Sequence, residues 1–240
     1  MALLEVSGLT KHFRGLRAVH EVSFAVPDAS IVAMIGPNGA GKTTCFNLIA
    51  GVFAPDAGDV RLGGRDVTGL RPHDICRAGV GRTFQVVKPF PQMSVLDNVL
   101  VGALNAHRHV HDARRVAEEM LALLHIEGKA AELAASLTLP ERKRLEVARA
   151  MATRPRLLLL DEVMAGLRPT EIDEMVAMFR RINRETGLTI LVIEHVMRAV
   201  MALAGTIVVL HHGEKICEGP PEAVVRDPAV LECYLGEGAV

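Results

Sequence analysis

Apolar and polar residues alternate over residues 3–6 and again over 18–26, the period-2 pattern of strands with one face on a core. Gly15 lies between them, so the pair predicts an antiparallel edge sheet turned at that glycine. The run Ile31-Val-Ala-Met-Ile35 is apolar without interruption and is bounded by Gly36, as expected of a strand buried on both faces of a parallel sheet. From Lys42 the spacing becomes helical. Between about Phe90 and Thr153 the strand signal fades, and apolar residues recur at helical spacing over 95–103, 113–124 and 142–152, which predicts an inserted helical lobe. The buried-strand pattern returns at 157–160 and 189–193, separated by a helix over 169–185, and this strand-helix-strand order implies right-handed crossovers. Residues 206–211 and 215–217 flank Gly213 as a hairpin, and short helices over 222–226 and 229–234 close the chain. The fold class predicted is α/β.

Composition supports one folded unit. Half of the 240 residues are hydrophobic and 23% are charged, which excludes intrinsic disorder. Lys and Arg number 27 against 28 Asp and Glu, so no global positive field draws the chain to nucleic acid, and none is expected as a partner. The mean hydropathy of +0.26 is high, yet the longest uncharged apolar runs, such as 199–210, fall well short of the roughly 18 residues of a membrane span. The start of the chain lacks the charged and apolar blocks of a signal peptide, and a protein retained inside the cell is expected. The four cysteines are dispersed with no CxxC pair, which points to reduced thiols. His107, His109 and His111 alternate in a polar stretch without an acidic or cysteine partner at ligand spacing, so no metal site is expected there.

Two segments carry phosphate chemistry. Gly36-Pro37-Asn38-Gly39-Ala40-Gly41-Lys42-Thr43-Thr44 fits GxxxxGK[ST] in full, between a predicted buried strand and a predicted helix, where that motif has to lie. Gly39 and Gly41 let the backbone turn its N–H groups toward a polyphosphate, and the helix contributes its positive end. Lys42 reaches the terminal phosphates, and the Thr43 hydroxyl is a ligand for Mg²⁺. In Leu157-Leu158-Leu159-Leu160-Asp161-Glu162, an apolar strand carries Asp161 to its carboxyl end, where a carboxylate holds magnesium directly or through its water shell. Glu162 then stands where an acid can orient an attacking water, since phosphoryl transfer needs an in-line nucleophile and little other covalent help.

With both segments placed, the sequence resembles the ATP-binding subunits of ABC transporters over essentially the whole chain. The resemblance implies a P-loop NTPase core with a parallel sheet, an N-terminal antiparallel β subdomain and an inserted α-helical subdomain. The boundaries expected are 1–88 and 154–240 for the core lobe and 89–153 for the helical subdomain, within one domain spanning 1–240. It also implies ATP hydrolysis with Mg²⁺. Phe13 resembles the aromatic residue that stacks on adenine. Gln85, in Arg82-Thr83-Phe84-Gln85, resembles the glutamine that contacts Mg²⁺ and couples the helical subdomain to the membrane subunits. His195 resembles the switch histidine that touches the γ-phosphate, and Ala165-Gly166-Leu167-Arg168-Pro169 occupies the place of the loop by which two ATPase subunits meet. The family's signature, usually LSGGQ, serves ATP bound on the opposite subunit. Here the matching stretch is Leu137-Thr138-Leu139-Pro140-Glu141, in which Thr138 keeps a hydroxyl, Pro140 removes a backbone N–H and Glu141 adds an acid.

Within the family, residues 81–90, the run from Met93 to Val99 and the ending Tyr234-Leu235-Gly236-Glu237 look most like the ATPases of branched-chain or hydrophobic amino-acid uptake systems. The ending is shared with lipopolysaccharide-export ATPases. The resemblance implies a peripheral complex on the cytoplasmic face of the inner membrane, with two permease chains, a periplasmic substrate-binding protein and a second ATPase subunit, the same or a distinct one. Residues 86–93 are expected to rim a groove for a permease coupling helix. Lipid or lipopolysaccharide export, and a weakly hydrolysing nucleotide-gated subunit, stand as alternatives. The non-transport ATPases of chromosome or ribosome work fit less well: no long coiled coil separates the two motifs, and the chain carries one ATPase unit.

Overall fold

Strands β1 (Ala2–Phe13) and β2 (Leu16–Pro27) form a long antiparallel hairpin. Its two-residue turn, Arg14 and Gly15, has both residues at positive φ (46° and 89°), the geometry that suits the right-handed twist of the flanking strands. The structure, a computed structural model, describes residues 1–85, 88–107 and 109–235, the side chain of Leu235 apart. After the hairpin come β3 (Ile31–Ile35), α1 (Lys42–Ile49), β4 (Ala57–Leu62), β5 (Arg65–Asp66), α2 (Pro72–Ala78) and β6 (Val80–Arg82). Three helices follow: α3 (Val95–Ala103), α4 (Val110–Leu123) and α5 (Leu139–Ala152). The chain then alternates through β7 (Leu157–Asp161), α6 (Pro169–Thr186), β8 (Thr189–Ile193), α7 (Met197–Leu203) and β9 (Thr206–His211), and ends with β10 (Glu214–Gly219), α8 (Pro221–Val224) and α9 (Pro228–Leu235).

The strands make two sheets, an antiparallel one ordered β2-β1-β4-β5 and a larger one ordered β10-β9-β3-β8-β7-β6. In the larger sheet β9, β3, β8, β7 and β6 are parallel, with β10 antiparallel at the edge. The uninterrupted apolar runs are explained by the two faces. Leu157, Leu159, Val32 and Met34 face a core shared with β1, β2 and α1, while Leu158, Leu160, Ala33 and Ile35 face one shared with α3 to α6. Every residue of β3, β7 and β8 is buried, so neither face of these strands tolerates a polar position. This is the architecture expected, an antiparallel β subdomain against a parallel core with helices α3 to α5 between β6 and β7.

Three features differ from the sequence pattern. The elements between α1 and α3 were not visible in it, because β5 and β6 are two and three residues long and leave no period to read. The apolar run 199–210 is the end of α7 followed by β9, parted at Gly205, whose N–H donates to the Ile31 carbonyl. Helix α5 starts at Leu139, ahead of the apolar period that begins at 142, because its first turn is capped by polar groups rather than packed.

Candidate active site

The loop from Gly36 to Gly41 joins β3 to α1 in backbone conformations that a side chain opposes. Gly36, Gly39 and Gly41 have φ of 146°, 80° and 99°. A Cβ on Gly36 would run into the Leu210 carbonyl oxygen, and one on Gly41 into that of Ala18; both glycines are fixed by close backbone approach as well as by φ. Asn38 and Gly39 are exposed and Ala40 is buried, its carbonyl accepting the Gly213 N–H. Gly41 caps α1 without a side-chain hydrogen bond and the first turn holds no acid, so the N–H groups at the start of the helix are left for a ligand. Lys42 folds back on the loop, with Nζ donating to the Gly36 and Pro37 carbonyls at 2.7 and 2.9 Å. Burial lowers its pKa, and the nearby Glu162 and Asp161 carboxylates oppose that shift. Thr43 and Thr44 open the helix beside it.

Asp161 ends β7, almost fully buried. Its Oδ2 accepts from Arg82 at 3.3 Å, and its N–H donates to the Thr83 hydroxyl at 3.1 Å. Burial raises its pKa while the Arg82 guanidinium lowers it. The other carboxylate oxygen, Oδ1, is buried without a hydrogen-bond partner, a costly arrangement for an isolated acid. Asp161 and Thr43 line the same cavity, about 690 Å³ in volume, which also touches Arg82, Phe84, Gln85 and Arg149. A buried hard oxygen lacking a partner, near a hydroxyl, fits a divalent cation of the magnesium type.

Glu162 leaves the strand in a left-handed conformation, φ 50°, a strained geometry for a non-glycine residue and one that turns its side chain out of the sheet. Its backbone is held on both sides: the N–H donates to Ile193, and the carbonyl accepts from Ala165 and, at 3.1 Å, from Lys143 Nζ. The carboxylate Oε2 accepts from the Gln85 side-chain amide at 2.9 Å and lies 4.0 Å from His195 Nδ1. Gln85, Glu162 and His195 follow β6, β7 and β8, which are adjacent in the sheet. Their convergence is a consequence of strand order, since loops at the carboxyl ends of parallel strands open on one edge.

The remaining expected residues lie around this edge. Phe13, at the end of β1, meets Phe53 edge-on at 5.2 Å between ring centres and is one-third exposed; the neighbouring strand passes Gly41 at Ala18 and Val19. Thr138 is the N-cap of α5, and both its N–H and its hydroxyl donate to Glu141 Oε2 at 2.8 Å. Leu139 and Pro140 complete that first turn, and the Leu139 side chain reaches Gly166, so the signature stretch touches the 165–169 segment within one chain. Of the expected groove rim, Val86 and Val87 lie outside the described residues, as do Gly236 and Glu237 of the ending. Lys88 lines the cavity, and Phe90 packs beneath Arg149, whose guanidinium sits 4.9 Å from the ring centre.

Four charged residues escaped the sequence reading. Arg82 donates to both Asn47 and Asp161. Lys143 is buried and holds the Glu162 carbonyl. Glu146 is buried and accepts the Phe84 N–H, next to Gln85, at 2.8 Å. Glu194, beside His195, accepts the Met164 N–H at 2.8 Å, and burial raises its pKa. Their types resemble those of any surface helix or loop, so no signal in the sequence separates them.

Comparison with known proteins agrees with this geometry. A family model described as ABC transporter matches residues 19–165, and one described as branched-chain amino acid ATP-binding cassette transporter matches 214–240. The high-affinity branched-chain amino acid transport ATP-binding protein BraF of Pseudomonas aeruginosa is 41% identical over 253 residues, 98% of each chain. LivG of Escherichia coli, with the same description, is 38% identical over 98% of each. The lipopolysaccharide export system ATP-binding protein LptB of Acidithiobacillus ferridurans is 36% identical, covering 98% of this chain and 97% of its own. A solved ATP-binding cassette of an ABC transporter, in its ADP conformation, superposes with a TM-score of 0.88 at 29% identity, over 99% of this chain and 100% of that one. With the phosphate loop, the two strand-end acids and the full-length likeness in agreement, the chain belongs to the ABC transporter family of ATP-binding subunits.

Proposed function

We propose that this chain is the ATP-hydrolysing subunit of an importer for branched-chain or other hydrophobic amino acids. It works as one of a head-to-tail pair of ATPase subunits on the cytoplasmic face of the inner membrane, attached through two permease subunits and served indirectly by a periplasmic binding protein. The observation that carries the ATPase reading is the meeting of Gln85, Glu162 and His195 beside the buried Asp161 and the Lys42 loop. The branched-chain reading is supported by the relatives over full length and by the match at 214–240.

The residues divide the work by position. Residues 1–88 and 154–240 form the nucleotide-binding lobe and 89–153 the helical one. Phe13 offers a partly exposed ring to adenine. Lys42 leaves two carbonyls for the terminal phosphate oxygens, and the N–H groups of Asn38 to Thr44 surround the phosphate chain. Thr43, Asp161 through its unpaired Oδ1, and Gln85 are the groups that would hold Mg²⁺, which when bound bridges phosphate oxygens and neutralises charge on them. Glu162 orients and deprotonates the attacking water, with Gln85 and His195 fixing its carboxylate between them. His195, largely exposed, donates to the γ-phosphate as negative charge develops. The cavity flanked by Lys88, Phe84 and Val101 takes a permease helix, and Phe90→Ala is expected to uncouple ATP turnover from transport.

The test is uptake of radiolabelled leucine by cells in which this chain is the sole ATPase of its type, with Lys42→Ala as the control. ATP-dependent uptake that Lys42→Ala removes supports the reading. Unchanged leucine uptake together with a defect in the outer-membrane lipid layer would favour the export reading that the likeness to LptB raises.

A further inference from the structure

In a head-to-tail pair, each subunit lends the start of one helix to the phosphates held by the other. The start of α5 is closed from within. Glu141, the third residue of the helix, takes both hydrogen bonds that Thr138 can donate, from the N–H and from the hydroxyl, at 2.8 Å each. Pro140 brings no N–H to the same turn. The carboxylate is held below its ordinary pKa, chiefly by the Thr138 N–H, and so carries a full negative charge where a phosphate would approach. The nearby cations are engaged elsewhere: Lys129 pairs with Glu132 at 3.0 Å and Arg144 with Glu174 at 2.6 Å. Leu139, half exposed, adds an apolar side chain that leans on Gly166.

We infer that α5 of this chain does not complete a nucleotide site in trans, so that the transporter's two ATP sites are unequal. The site built on Lys42 and Glu162 is the hydrolytic one, completed by a different ATPase chain whose helix start is uncharged and rich in free N–H groups. The site to which this chain contributes α5 holds nucleotide weakly. This rests on the ATPase reading above and specifies the partner it needs: a second copy of this chain would leave both sites facing a carboxylate.

The test uses the full chain carrying Glu162→Gln, to prevent turnover, with dimer formation followed by sedimentation in MgATP and nucleotide binding measured in parallel by equilibrium dialysis. Glu141→Gln keeps an acceptor for Thr138 while removing the charge, and adding Pro140→Gly restores one N–H. The expected result is a Glu162→Gln chain that binds ATP as a monomer and a Glu141→Gln derivative that dimerises at least about tenfold more tightly, because a like charge near the phosphates has been removed. If the Glu162→Gln chain dimerises with ATP and Glu141→Gln changes its dissociation constant less than about twofold, the closure of α5 is without consequence and the inference fails. It fails equally if both derivatives bind ATP and remain monomeric. Should none of the chains bind ATP, the ATPase reading itself is lost, an outcome that the dialysis separates from the other two.

Discussion

Lys143 is the sharpest test of how the helical lobe acts on the catalytic edge. It lies one turn into α5, 3% exposed, and its ammonium donates to the Glu162 carbonyl at 3.1 Å. Its charge also opposes the burial-driven rise in the pKa of Asp161 and Glu146. Lys143→Met keeps the length and apolar stem but removes the donor and the charge. A hydrogen bond from a charged donor contributes about 1.5–3 kcal/mol. The Glu162 carbonyl keeps its bond from the Ala165 N–H, but Asp161 and Glu146 lose a compensating cation, so the upper half of that range applies. For a chain of this size, with roughly 2–4 °C per kcal/mol, the melting temperature falls by about 5–10 °C. Glu162 is then tied to β8 but not to α5, and a displacement of about 1 Å in a water-orienting group costs up to about 100-fold in turnover. We expect kcat for ATP in the assembled transporter to fall about 10- to 100-fold, with KM little changed because Lys143 touches no phosphate-binding residue. Lys143→Arg, which retains a cationic donor, should recover most of the loss. A Lys143→Met transporter that melts early yet turns over ATP at the wild-type rate would reduce Lys143 to a packing residue and refute its role as a positioning residue.

Three further outcomes follow from the same edge. Glu162→Gln should retain ATP binding and lose about 10²- to 10⁴-fold in hydrolysis, the usual contribution of a placed general base; phosphate release in the assembled complex reads it, and full activity would remove Glu162 from that role. Phe13→Ala should weaken ATP binding while leaving kcat at saturating ATP close to wild type, as titration with a fluorescent nucleotide would show; equal affinity would make Phe13 only a partner for Phe53. Burial raises the Glu194 pKa, so the folded chain keeps a proton that the unfolded chain releases just above the ordinary carboxylate range. The Glu194 contribution to stability is therefore best at low pH and declines as pH rises through its folded pKa. Glu194→Gln, which can still accept the Met164 N–H, should gain on the wild type between pH 5 and pH 8 in urea denaturation; a constant difference at the two pH values would show that Glu194 is not held protonated.

What the sequence made legible, and what it hid, separate along physical lines. The loop at Gly36 to Thr44 is readable because its requirements fall on residue identity: positive φ and close backbone approach at Gly36 and Gly41 admit almost no other side chain. Asp161 and Glu162 are readable because an acid ending an uninterrupted apolar strand has no packing reason to be there. Helix α5 is the opposite case. Lys143, Glu146 and Ala150 are three and seven residues along from one another's turn and share the buried side of the helix, yet a reading that equates burial with apolarity assigns the first two to solvent. They are buried because each meets a backbone group that strand geometry has left exposed, Lys143 the Glu162 carbonyl and Glu146 the Phe84 N–H. These partners belong to the loops after β7 and β6, which carry Glu162 and Gln85. One face of the signature helix is thus bonded to the peptides that bear two of the three converging side chains. A shift of α5 by a permease helix in the adjoining cavity would move Glu162 and Gln85 directly, without passing through the nucleotide. That route predicts that Glu146→Gln, which keeps an acceptor for the Phe84 N–H, leaves coupling intact, whereas Glu146→Ala lowers transport per ATP hydrolysed; equal coupling ratios in the two variants would break the link between α5 and the Gln85 loop.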